Sequence, residues 1–131
     1  MRYEQLLDEA VDLGLTVKEK PLQSADGRTY RNRIAVRQDM TTARKTCVLA
    51  EEIGHCLTTV GNILSQNSIG ALQQEHRARV WAFKKLLPAE EIVRATEAGY
   101  TQVYEMAEFL DVDEEFLRDC LIYYGILDIS L

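Results

Sequence analysis

Between Thr41 and Leu87 the chain spaces its apolar residues for two long helices, and each helix carries ionisable side chains placed to meet across the pair. Thr41 and Thr42 are candidate N-caps for the first, which runs to about Thr59 with Ala43, Cys47, Ala50, Ile53 or Gly54, and Leu57 turned inward. Gly61 is the expected stop, and Asn62–Gly70 reads as a polar loop. The second helix covers about Ala71 to Leu87, and Pro88 ends it.

The first helix contains Cys47-Val-Leu-Ala-Glu51-Glu52-Ile53-Gly54-His55. This is the frame of a zincin helix, H-E-x-x-H, with Glu in the first His position. At 3.6 residues per turn, Glu51 and His55 lie one turn apart on one face and can converge on one ion. Glu52 sits beside them, placed to act as a general base on water. Gly54 removes a side chain between Glu51 and His55, so another segment can approach closely. The third ligand is expected from Glu75, 20 residues past His55 on the second helix. The set Glu51, His55 and Glu75 carries a charge of −2 and neutralises a divalent cation. Zinc accepts carboxylate as well as imidazole, and a carboxylate-rich set also suits manganese. His76 points about 100° away from Glu75, so only one of the two can face the site.

The remaining segments are shorter. Tyr3–Leu13 reads as a helix with Leu6, Leu7, Ala10, Val11 and Leu13 on one face, closed by Gly14. Leu15–Lys20 alternates as a strand does and ends at Pro21. Arg28–Arg37 is expected to form a hairpin turned at Arg31-Asn32. Three short helices follow, over Pro88–Ala98, Thr101–Leu110 and Asp113–Tyr124, with Gly99 and Gly125 closing the first and third. The class is α+β: a helical zincin-like core (1–88) with a small antiparallel sheet, then a short acidic helical C-terminal part (89–131) packed on it.

Charge narrows the partners. The net charge is −6 over 131 residues, but from Thr101 onward eight acidic residues face only Arg118, a local balance of −7. Such a tail repels phosphate, and no direct nucleic-acid binding is expected of the chain. No apolar run approaches the roughly 18 residues of a membrane span, and the first residues do not open into a signal peptide. The expected location is the cytoplasm. An odd number of cysteines (Cys47, Cys56, Cys120) without a C-x-x-C pair fits a reducing compartment.

The second helix reads Glu75-His-Arg-Ala78-Arg-Val-Trp81-Ala82-Phe-Lys-Lys-Leu86-Leu87-Pro88. Together with Ala50-Glu-Glu-Ile-Gly-His55 and Thr59-Val-Gly-Asn-Ile63, it resembles the ImmA/IrrE family of phage- and mobile-element metallopeptidases. That family pairs H-E-x-G-H with E-x-x-A-x-x-F-A-x-x-L-L-x-P, and here Trp81 stands for Phe. The resemblance implies His55 as a metal ligand, Glu52 as the catalytic glutamate and Glu75 as the acidic ligand. Glu51 occupies the first histidine's place. It implies a metal-dependent endopeptidase acting on a protein, such as a phage-type repressor. The alternative is a catalytically degenerate regulatory binding module of the same fold, which Glu51 favours.

Several other residues have more than one reading. Cys56 is a soft ligand, a nucleophile or plain packing, with packing the commoner outcome. Arg77 and Arg79 either steady the site carboxylates or pair on the surface. Asn62 either lines the cleft or is a turn residue. The arm Arg33–Arg37 is either an edge onto which a peptide adds as a strand or an edge protected by its arginines. Val103–Leu117 has a helix-turn-helix cadence turned at Asp111-Val112. Its second helix opens Asp113-Glu114-Glu115, which excludes a DNA groove and suits packing or protein docking.

Overall fold

The structure, a computed structural model, describes residues 2–58 and 68–127. The expected stop at Gly61 and the polar-loop residue Asn62 lie outside the described residues. The elements are α1 (Arg2–Asp12), β1 (Thr16–Lys20), β2 (Gly27–Tyr30), β3 (Arg33–Arg37), α2 (Thr42–Thr58), α3 (Ser68–Leu86), α4 (Ala89–Glu97), α5 (Val103–Leu110) and α6 (Glu114–Tyr123). Helices plus a three-stranded sheet make the class α+β.

The sheet corrects two expectations. It is mixed, in the order β1-β3-β2, with β1 parallel to β3 and only β2–β3 antiparallel. The six residues 21–26 between β1 and β2 are long enough to cross two strand spacings of about 4.8 Å, so β2 lands beyond β3. In consequence Arg33–Arg37 is the central strand and cannot take a peptide on its edge. The edges are β1 and β2. The hairpin turn falls at Arg31-Asn32 as expected, with Arg31 at φ 56°, a left-handed conformation that costs a non-glycine residue about 1 kcal/mol.

Local chemistry sets the helix ends. Thr41 Oγ1 accepts from the Arg44 N–H at 3.1 Å, capping α2. Asp113 caps α6 by accepting from the Phe116 N–H at 3.4 Å. Asp111 closes α5 at φ 58°, and Gly14, Gly99 and Gly125 have positive φ at the other closures.

α2 sits between the sheet and α3. Its middle is buried on several sides at once: Thr46, Cys47, Val48, Leu49, Ala50, Ile53 and Gly54. The sheet contributes Ile34 and Val36 and α1 contributes Leu6 and Ala10. Leu57, Val11 and Leu13, expected inside, are exposed. Val11 sits off the Leu6–Ala10 stripe, and Leu13 follows the last residue of its helix. The pairs His55–Glu75, Gly54–Ala78 and Glu51–Arg79 run in opposite directions, so α2 and α3 are antiparallel. At Gly54 an added Cβ would lie 2.5 Å from the Ala78 carbonyl oxygen. The close approach expected at that glycine is therefore the α2–α3 crossing. Among the described residues no helix is long and apolar enough to cross a membrane.

One buried cluster continues across residue 88. Phe83, Leu86 and Leu87 share it with Ile92, Leu110, Phe116 and Leu117. Burying each such side chain contributes roughly 2 kcal/mol. The rings of Phe83 and Phe116 meet edge-on at 5.2 Å.

Candidate active site

The α2–α3 crossing and the end of β2 enclose a cleft of about 500 Å³. Its lining is Glu52, His55 and Cys56 from α2, Glu75 from α3, Gly27 and Thr29 from β2, and Arg31 from the turn. His55 Nε2 lies 3.1 Å from Glu75 Oε2. Glu52 Oε1 accepts a hydrogen bond of 2.6 Å from the Thr29 hydroxyl. Burial pushes the Glu52 carboxyl up, Thr29 and His55 pull it down, and Glu75 pushes it up again; the net direction is upward.

The strand can stand this close because of Gly27. A Cβ there would lie 2.7 Å from Val48 Cγ1 and 3.0 Å from Glu52 Cγ. The backbone of β2 thus sets where the Glu52 side chain can lie. Two residues on, the same inward alternation delivers the Thr29 hydroxyl.

Glu51 is oriented differently. Its Oε1 lies 3.6 Å from Arg79 Nε, and Arg79 also reaches Asp119 of α6 at 3.6 Å. Burial raises the Glu51 carboxyl, while Arg79 and Arg44 work against it. Of the four side chains singled out in sequence, Glu52, His55 and Glu75 therefore line one cleft, and the pairing of Glu51 is with an arginine. Among the described residues no group of three or more His, Cys, Asp or Glu side chains is arranged to hold a metal ion. His76 turns from the cleft, its ring 6.1 Å from that of Tyr123. Arg79 steadies a carboxylate; Arg77 is exposed. Cys56 Sγ lies 3.9 Å from the Arg31 carbonyl oxygen at the cleft wall, and burial raises its thiol.

Sequence reasoning missed Thr29, Gly27 and Arg31. Their only signal was the hairpin turn at Arg31-Asn32 and the alternation of its arms, which does not reveal which helix a strand will face.

Residues 10–121 match the sequence pattern of the IrrE N-terminal-like domain, a peptidase family. The chain belongs to that family. No curated protein matches it significantly. Membership in the IrrE-like family makes this a metallopeptidase-type fold, and the matched span covers the cleft, both long helices and most of the acidic tail. The helix-turn-helix cadence of the tail is an ordinary helical pair. Phe116, Leu117, Cys120 and Leu121 of α6 are buried rather than presented.

Proposed function

We propose that the cleft is the active centre of a metal-dependent endopeptidase that cuts a protein substrate in the cytoplasm. One observation carries this reading: Glu52, His55 and Glu75, from two helices, open on the same cleft, with an edge strand as its far wall. The family resemblance makes a phage-type repressor the first substrate to test. Among the described residues only β3 pairs with β2, so an extended peptide can add along the outer side of β2 and pass over Glu52 and His55.

The donors suit a divalent cation in part. The 3.1 Å between His55 Nε2 and Glu75 Oε2 is close to the ~3.3 Å between neighbouring ligands of a tetrahedral ion bonded at ~2.0 Å. The ligands we assign are His55 and Glu75, joined by Glu51 once it leaves Arg79, with zinc the first candidate and manganese the second. When bound, such a cation supplies Lewis-acid polarisation of the scissile carbonyl and makes water acidic enough to ionise near pH ~7. Glu52 takes the proton from the attacking water and returns it to the leaving amine. Thr29 holds one of its oxygens and leaves the other for that transfer. The backbone of β2 orients the substrate.

The Glu51–Arg79 pair favours a second reading, in which the chain is a degenerate regulatory binding module of the same fold. Metal analysis of protein purified without added metal or chelator separates the two. Near-stoichiometric zinc or manganese supports the peptidase, and a folded, metal-free protein supports the module. For the peptidase, Glu52→Gln is expected to abolish cleavage of a phage-type repressor with fold and metal content unchanged. Undiminished cleavage by that variant removes Glu52 from the mechanism.

A further inference from the structure

The outer face of the sheet gathers cations that much of the molecule keeps paired. By register, Lys18 and Lys20 of β1, Arg33 of β3, and Arg28 and Tyr30 of β2 point away from α2 around a floor at Ala35. They line a shallow depression of about 390 Å³. Among the described residues, none of these four cations has a carboxylate within ion-pair distance, and Arg28 binds the Ser24 hydroxyl at 2.7 Å. Elsewhere Arg2, Arg44, Lys45, Arg79, Lys85 and Arg94 each hold at least one carboxylate. Tyr30 stands 68% exposed on the same face, with the Arg31 guanidinium carbon 5.4 Å from its ring centroid.

A solvated sheet face needs polar residues, but it does not need one sign of charge, least of all in a chain of net charge −6. Nor does it need an exposed ring. The complementary ligand is a flexible polyanion that also carries flat groups. Phosphates would take the place of the missing carboxylates, and a base would stack on Tyr30. A duplex fits poorly, because its major groove admits a helix or a two-stranded ribbon but not the flat of a three-stranded sheet. An acidic polypeptide would satisfy the cations but add no flat group to the exposed side of the Tyr30 ring.

We infer that the outer face of the sheet binds single-stranded nucleic acid, with phosphates on Lys18, Lys20, Arg28 and Arg33 and a base on Tyr30. This departs from the expectation drawn from net and tail charge, which does not resolve one four-cation face. It does not rest on the peptidase reading, since the cleft lies on the other side of the strands.

The test titrates the full chain with a labelled oligothymidylate over a range of salt concentrations. Saturable binding is expected, with log affinity falling against log salt at a slope of about −3, the value for four neutralised phosphates on a single strand. The pair Lys18→Glu/Arg33→Glu should weaken binding by roughly tenfold or more and flatten that slope. Arg77→Glu/Lys84→Glu, an equal change of charge on exposed positions of α3, should leave it unchanged. Tyr30→Ala should weaken oligothymidylate but not long-chain polyphosphate, which isolates stacking. Circular dichroism checks that each variant is folded. Four results would overturn the inference: no saturable binding, an equal loss in the α3 pair, tighter binding of a duplex, or equally effective competition by polyglutamate. The last would point to an acidic protein partner instead.

Discussion

Glu51 and Glu52 are neighbours in sequence with different surroundings, because one residue turns a helix by about 100°. Glu52 meets a neutral hydroxyl inside the cleft, and Glu51 meets the guanidinium of Arg79. Replacing Glu51 tests which role that carboxylate has. If it is a ligand, Glu51→His supplies a nitrogen donor in its place and zinc binds more tightly in a competition titration. An unchanged or weaker affinity would leave Glu51 as the partner of Arg79 alone. The three thiols divide in the same manner. Burial drives Cys47 and Cys120 up to about 12, so both are protonated and shielded at neutral pH. Cys56 is half-buried on the cleft wall. Iodoacetamide at neutral pH is therefore expected to label Cys56 first in the folded protein, as read by peptide mass spectrometry. Early labelling of Cys47 would contradict the packing around α2. Glu52, His55 and Glu75 were legible in sequence because helix spacing is a local property. Thr29 was not, because its bond to Glu52 spans 23 residues and depends on which strand lies over α2.

At the scale of elements, the site depends on how closely α2 and α3 approach. Gly54 meets the Ala78 backbone, and Ala78 and Ala82 keep the α3 face small. Gly54→Ala would force a methyl into a backbone carbonyl that has no rotamer to yield. It is expected to cost about 3 kcal/mol in urea unfolding, towards the upper end for overpacking, and to separate His55 from Glu75. A cost near zero would mean the helices can slide apart freely. The sequence made the helices plain, since each carries its own apolar period and its own end signals. Thr41, Asp113, Gly99 and Gly125 all act at the ends where they were expected. Strand order was hidden. The alternation of Arg33–Arg37 describes an inner and an outer face equally well for an edge or a central strand, and only the non-local pairing with β1 decides. The outer basic face stayed hidden for the same reason, because its cations come from three strands.

Over the whole molecule, the acidic helices tie into the first 88 residues through polar contacts as well as packing. Arg2 donates to the Leu86 carbonyl at 2.6 Å and pairs with Glu91 at 2.9 Å. Tyr124 Oη donates to the Leu87 carbonyl at 2.7 Å, at the end of α3 where the helix leaves its last carbonyls without intrahelical donors. Arg44 reaches both Asp26 before β2 and Asp113 at the cap of α6, so one side chain joins the cleft-bearing hairpin to the tail. Exposed ion pairs of this kind contribute little singly, so the packing has to dominate. Without residues 89–131, Phe83, Leu86 and Leu87 would lose the apolar partners that bury them, including Phe116 and Leu117. Each newly exposed large side chain forfeits roughly 2 kcal/mol, and three together approach the whole stability of a small domain. A chain ending at Pro88 is therefore expected to lack a cooperative urea transition and a near-ultraviolet circular dichroism signal, whereas the full chain unfolds in one step by both probes. A truncated chain that melts sharply would show that the first 88 residues fold independently and that the acidic helices are an appendage to them.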